Sequence, residues 1–333
     1  MLVVRNGMIK QFRSLNFINI ALLLILTFIL RIGLFLEIPE LINSGFNNFS
    51  IRIGVDFNLD SYLSPTLNII LATVLVFIQA LIFNKIVNNY GLLNKASFLA
   101  GLFFVVCSSI FTPFLIFSPP LVCNFLLLFI LHKLLKDFKS TDSISTMYDL
   151  GMAVAIGTII YFPFVIFILL LWIALIIFKP FNWREWVSVA LGFLTIVFLL
   201  GVYYYWNNQI LNYVEIWKPL SSKIPFYLKI NVLDYIVLFP LVICAILGII
   251  SIRLKLFKSF VIVRKAFQLL VFMFIIAIIS FYFNKEFRIY HFILAVIPIA
   301  MVLAHYFTHA TKRWFYESLF IIMLGFIIYF QIF

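Results

Sequence analysis

The sequence predicts an all-α, polytopic integral membrane protein of about eleven transmembrane helices, forming a single membrane domain over residues 1–333. Three observations predict it. The 333 residues are 65% hydrophobic and 11% charged, whereas a soluble domain is about half apolar and about a quarter charged. The mean hydropathy of +1.18 reflects more apolar side chain than a soluble core of this size can hide from water. Apolar runs close to the roughly 20 residues that cross a bilayer recur along the whole chain, and no polar stretch is long enough for a separate soluble domain. A soluble enzyme, a disordered chain and a disulfide scaffold are therefore excluded.

The spans follow in order. The first, 16–36, comes after Arg5, Lys10 and Arg13. A basic start resembles a signal peptide, but Arg31, Glu37 and Glu40 follow in place of a small-residue cleavage site, so the run reads as a retained span. The second is 67–87. Residues 97–132 are too long for one span and are interrupted at Thr112-Pro113 and Ser118-Pro119-Pro120, which divides them into 97–111 and 114–132. Pro163 likewise divides 150–178 into 150–161 and 163–178. Charge supports both divisions. Lys85 and Lys95, then Lys133, Lys136 and Lys139, then Lys179 and Arg184 all suit the cytoplasmic side, so an even number of crossings separates them. The remaining spans are 187–206, 234–252, 266–283, 292–308 and 316–333. The elbows share an echo, Pro113-Phe114-Leu115-Ile116-Phe117 against Pro163-Phe164-Val165-Ile166-Phe167, which reads as chance in a chain with 42 phenylalanines.

This topology puts the N-terminus in the cytoplasm, the C-terminus in the periplasm and the protein in the cell inner membrane. Seventeen of the 24 Lys and Arg and five of the 12 Asp and Glu fall on the cytoplasmic side, which accounts for the whole net charge of +12. The basic balance therefore reports orientation and implies no nucleic-acid partner. Cys107, Cys123 and Cys244 lie in apolar segments without paired spacing and imply neither a disulfide nor a zinc site. The outside face holds three segments, about 37–66, 207–233 and 284–291.

Ionisable residues deep in a span would mark a proton or ion path. Arg31 and Asp234 lie near span ends and are expected to snorkel to water, which disfavours an ion-coupled transporter. The outside segments are richer. Asp56 and Asp60 are four apart, with Arg52 four before Asp56, so on a helix all three would share a face. A carboxylate there suits a general base towards a sugar hydroxyl, or a ligand for a divalent cation, the one cofactor the sequence leaves open; the plain alternative is a solvated local ion pair. In the last segment Lys285, Glu286, Arg288, Tyr290 and His291 crowd a short turn. A lysine point charge and an arginine fork together suit a phosphate; the plain alternative is a self-neutralising loop.

The run Asn284-Lys285-Glu286-Phe287-Arg288, ahead of a span containing Pro298, resembles the H-K-E-x-R-F segment of polyprenyl-phosphate-sugar-dependent mannosyltransferases of the GT-C class. Asn284 stands where that segment has His, and Ile289 where it has an aromatic residue. The resemblance implies a GT-C-like fold, a lipid-phosphate-sugar donor and transfer on the non-cytoplasmic side. Asp56 or Asp60 would be catalytic, and Lys285, Glu286, Arg288, Tyr290 and His291 would bind the donor. A second segment, Phe178 to Trp186 (FKPFNWREW), is similar to one found in an uncharacterised family of flavobacterial inner-membrane proteins, which carries no assigned activity. Lys179, Trp183, Arg184 and Trp186 read as an anchor at the cytoplasmic interface, or as a contact for a membrane-protein partner. His132, His305 and His309 share the cytoplasmic side, with His305 and His309 four apart, and three imidazoles suit iron or zinc; but no H-x-x-H-H or H-E-x-x-H pattern is present, and interfacial helix residues are the preferred reading. Three functions follow: a GT-C-like glycosyltransferase, a non-catalytic scaffold of an envelope secretion, motility or polysaccharide-export complex, and a lipid-linked-glycan flippase.

Overall fold

A computed structural model describes residues 7–40, 42–54, 63–139, 143–217, 236–255, 259–284 and 288–332. The described residues are helical, turn or irregular, with no strand. In chain order the helices are α1 (Met8–Phe12), α2 (Ile18–Ile29), α3 (Ile32–Leu36), α4 (Asn47–Ile53), α5 (Pro65–Asn89), α6 (Leu99–Cys107), α7 (Pro119–Lys136) and α8 (Ile144–Ile160). There follow α9 (Phe167–Phe178), α10 (Trp183–Trp206), α11 (Ile210–Ile216), α12 (Leu238–Lys255), α13 (Val261–Ile279), α14 (Val296–His309) and α15 (Arg313–Ile332). Among the described residues seven helices are long and apolar enough to cross a membrane: α5, α7, α10, α12, α13 and α14 with their adjoining 3-10 turns, and α15. The chain is thus a polytopic membrane protein. Three shorter apolar helices accompany them: α2, α8, and α9 with the turn that leads into it.

Helix boundaries follow local chemistry. Pro65 and Pro119 open α5 and α7, where a missing N–H costs nothing, and Ser64 Oγ accepts from Leu67 N at 3.4 Å. Asn182 caps α10 by accepting from Arg184 N at 3.2 Å. The breaks expected at Pro113 and Pro163 are 3-10 turns, Thr112–Phe114 and Phe162–Ile166. Helix α8 starts at Ile144, before the expected 150, and Asp149 within it lies 3.6 Å from Lys133.

Broken helices free backbone groups that lipid cannot satisfy, and polar side chains supply the missing partners. Arg52 Nη1 donates to the carbonyls of Ile159 and Ile160 at the end of α8, both at 3.2 Å. Asn68 Oδ1 accepts from Phe117 N at 2.8 Å, and Asn124 Nδ2 donates to Ile293 O at 3.1 Å, within the 3-10 turn Ile289–Ala295. Arg31 Nη1 donates to Leu115 O at 2.9 Å. Arg31 corrects the expectation of snorkelling: it is 0% exposed, because the elbow carbonyl competes for it with water.

Packing is closest where glycines face backbone. A Cβ on Gly151 of α8 would run into Val189 O of α10, and one on Gly192 of α10 into Tyr148 O of α8. Helix α6 is buried along its whole length at the centre, while Phe198 of α10, Ile249 of α12 and Ile321 of α15 are exposed on the rim. One end of the bundle carries the 3-10 elbows, and the other carries Lys85, Lys95, Lys133, Lys179 and Lys255; they are called here the elbow end and the basic end.

Candidate functional site at the elbow end

The site begins with the termination of α4. Gly54 adopts the left-handed conformation at φ 70, and Tyr204 from α10 shares its hydroxyl proton between the carbonyls of Ile51 and Arg52, both at 3.0 Å. This holds Arg52 against the end of α8, 5.9 Å from the Phe162 ring centroid. Burial lowers the Arg52 guanidinium from its ordinary value to about 10, so it remains a cation at neutral pH. Arg52 is in the last turn of α4, and Asp56, with which it is expected to share a helix face, lies outside the described residues.

Around Arg52 lies a cavity of about 540 Å³. Asn48 and Arg52 enter it from the first of the long segments, Asn212 and Glu215 from the second and Asn284 from the third, with Phe162-Pro163 of an elbow between them. Helix α11 forms one wall and has two sides. Asn212, Glu215 and Ile216 line the cavity, while Ile210, Leu211 and Val214 are exposed on the other side. Tyr205 and Trp206, 71% and 83% exposed, end the preceding helix. Exposed aromatics at a span end with an apolar helix side next to them mark the membrane–water boundary.

Beneath the Asn284 wall runs a directed chain of hydrogen bonds. Asn284 Nδ2 donates to Tyr161 Oη at 3.1 Å, and Tyr161 donates to His291 Nδ1 at 2.7 Å. His291 Nε2 donates to Ala277 O at 3.1 Å and lies 3.1 Å from Ser280 Oγ. The Ala277 carbonyl only accepts, so the proton is assigned to Nε2 and Nδ1 accepts. His291, expected to bind the donor, is 0% exposed and supports the wall from behind. Arg288 Nη1 donates to Asn43 Oδ1 at 3.0 Å, and its guanidinium lies 5.8 Å from the Tyr290 ring centroid. Tyr290 Oη in turn packs where a Cβ on Gly45 (φ 82) would stand. The third segment is thereby fastened to the first.

Asp56, Asp60, Lys285 and Glu286 lie outside the described residues. Arg288 and Tyr290 lie at the elbow end, where they contact the first segment and do not line the Arg52 cavity. Sequence reasoning assigned no role in the site to Glu215, Tyr161 or Asn43. Glu215 had a signal in its position within an outside segment; Tyr161 and Asn43 had none, since both gain their partners only from the fold.

At the basic end the anchor divides in two. Lys179 Nζ lies 3.6 Å from the buried Glu185 and 2.6 Å from Ser143 Oγ. Trp186 stacks on Trp172 at 6.1 Å and 14°. Lys179 and Trp186 therefore tie α8, α9 and α10 together, which corrects their reading as surface anchors, and Trp183 and Arg184 alone of the four are exposed. The His305 and His309 rings lie 4.4 Å apart and His132 meets Tyr90. Among the described residues no group of three His, Cys, Asp or Glu is placed to hold a metal ion.

Residues 55–333 match a family of unknown function, DUF6427. No curated protein and no solved structure matches the chain.

Proposed function

The chain belongs to DUF6427, a family of unknown function, and for this member we propose a membrane glycosyltransferase of GT-C-like architecture with eleven crossings. Its site faces the periplasm, and the donor is a sugar linked to a polyprenyl phosphate. The observation that carries the reading is the elbow-end cavity. Three sequence-distant segments meet there, a partly buried cation and a carboxylate line it, and the α11 wall is apolar on its outer side. A donor with a polar head and a hydrocarbon tail needs this combination: a polar chamber at headgroup depth beside a boundary open to lipid.

In this reading an acceptor hydroxyl attacks the anomeric carbon, the bond from that carbon to the phosphate oxygen breaks, and polyprenyl phosphate leaves. Arg52, with Lys285 and Arg288, holds the charge that develops on the leaving phosphate. The acceptor proton goes to a carboxylate, Asp56 or Asp60, or Glu215 on the facing wall. Asn284, held by Tyr161 and His291, orients the sugar.

The test is sugar transfer, or glycan export, in cells whose own copy is deleted. Asp56→Asn, Asp60→Asn, Arg288→Ala and Arg52→Leu are made singly and compared at equal protein level; Arg52→Leu, Arg288→Ala and at least one of the Asp variants abolish transfer. If all four keep the parent phenotype, the reading is wrong. A stoichiometric partner that co-purifies through Trp183 and Arg184 would favour the scaffold. A flippase needs a polar path between the two ends, whereas the interior amides Gln79, Asn84 and Asn124 are buried and bonded to backbone at Leu121, Gly101 and Ile293.

A further inference from the structure

A second polar cavity, of about 610 Å³, opens at the basic end between the loop that follows α5 and the start of α13. Among the described residues Asn89, Asn94, Lys95 and Ser259 line it, and no carboxylate does. The loop is pre-shaped. Asn88 bonds both backbone groups of Ser97, accepting from its N–H at 3.1 Å and donating to its carbonyl at 2.9 Å. Gly91 and Asn94 take left-handed conformations at φ 61 and φ 58, and Asn94 Nδ2 donates to Ser259 Oγ at 3.3 Å. Side-chain amides and an ammonium thus converge on one space from a frame in which the Ser259 hydroxyl braces Asn94.

The surrounding charge is mainly positive. Lys255, one turn before Ser259, donates to His309 O at 3.3 Å, and Ser259 Oγ donates to Lys255 O at 3.4 Å. The charges that act on His309 are those of Lys255, Lys95 and Arg13, all positive. Asp137 is close enough to act on Tyr90 at the cavity edge. The other described carboxylates of this end are used elsewhere: Asp149 by Lys133, Glu185 by Lys179, and Glu317 by the amides of Ile9 and Lys10.

We propose that this cavity is a phosphate-binding site, separate from the elbow-end cavity. A phosphate offers several acceptor oxygens and negative charge, which match convergent donors in a basic surrounding. The phosphate belongs either to an anionic lipid headgroup of the adjacent leaflet, since basic pockets between spans at such a boundary hold headgroups, or to a free soluble phosphate.

Thermal unfolding of the full-length protein in detergent separates the sources. Phosphatidylglycerol is added against phosphatidylcholine, and inorganic phosphate against chloride at equal ionic strength. A rise in midpoint with phosphatidylglycerol assigns the lipid, and a rise with inorganic phosphate assigns the free anion. Lys95→Gln, on an exposed loop, weakens the response about fivefold, the worth of one lysine near a phosphate surface, and Lys95→Glu removes it. Asn94→Gly keeps the left-handed turn, deletes the amide and weakens the response as well. Lys312→Gln, an exposed charge elsewhere at this end, leaves it intact. No response to either ligand, a response unchanged in Lys95→Gln and Lys95→Glu, or an equal loss in Lys312→Gln overturns the site.

Discussion

At the scale of single residues, the elbow-end site rests on side chains that do backbone work. Arg52 is both the capping cation of α8 and part of the cavity wall. Its two roles predict that Arg52→Lys is not conservative: an ammonium lacks the planar fork that reaches two adjacent carbonyls while facing a ligand. Transfer is expected to fall at least tenfold, with a rise in the apparent KM for the lipid donor, measured in membranes at equal protein level. Burial lowers the Arg52 guanidinium but leaves it charged well above neutrality, so donor binding through this group is expected to be unchanged between pH 6 and 8 and to weaken only in strong alkali. Tyr161→Phe tests the wall behind. It removes the donor to His291 Nδ1 and the acceptor of Asn284, leaving buried polar atoms unpaired at about 1–3 kcal/mol. A lowered unfolding midpoint, with transfer reduced through a loosened Asn284, is the expected result.

At the scale of elements, the sequence was most legible where proline and charge act locally. Pro113 and Pro163 marked both elbows, because proline removes a donor whatever the tertiary context, and the long apolar runs marked the helices around them. What stayed hidden was long-range. Nothing local in Arg31 says that Leu115, far along the chain, will claim it, nor in Tyr204 that it will close α4. The FKPFNWREW segment shows the same division, since Trp183 behaves as the local pattern implies and Trp186 is taken by Trp172. The pairing of α8 with α10 turns on Gly151 and Gly192, whose absent side chains let backbones meet. Gly192→Val would force the helices apart, at about 1–3 kcal/mol or more, and a marked fall in unfolding midpoint and membrane yield is expected. A comparable change at Gly325 of α15, where an added Cβ meets nothing, is expected to be neutral.

At the scale of the whole molecule, the +12 of net charge and the two cavities make one prediction about sidedness. The elbow-end cavity carries a mixed lining, Arg52 with Glu215, and the basic-end cavity carries Lys95 with no carboxylate. Positive charge is retained on the cytoplasmic side during insertion, so the second cavity should open to the cytoplasm and the first to the periplasm. The helix order places the two cavities at opposite ends, since α10 runs from Trp183 beside the basic cluster to Trp206 beside the first cavity. The three native cysteines are buried, so single cysteines introduced at exposed positions report cleanly. Asn208→Cys, just beyond the exposed Trp206, should react with an impermeant maleimide in intact spheroplasts. Lys312→Cys should react only after the membrane is opened. The reverse pattern would place the Arg52 cavity on the nucleotide-rich side, where a soluble donor could reach it, and would remove the reason for a lipid-linked one. The same labelling would then leave the convergence of the three segments unexplained by transfer in the periplasm, so sidedness decides the donor class before any sugar is tested.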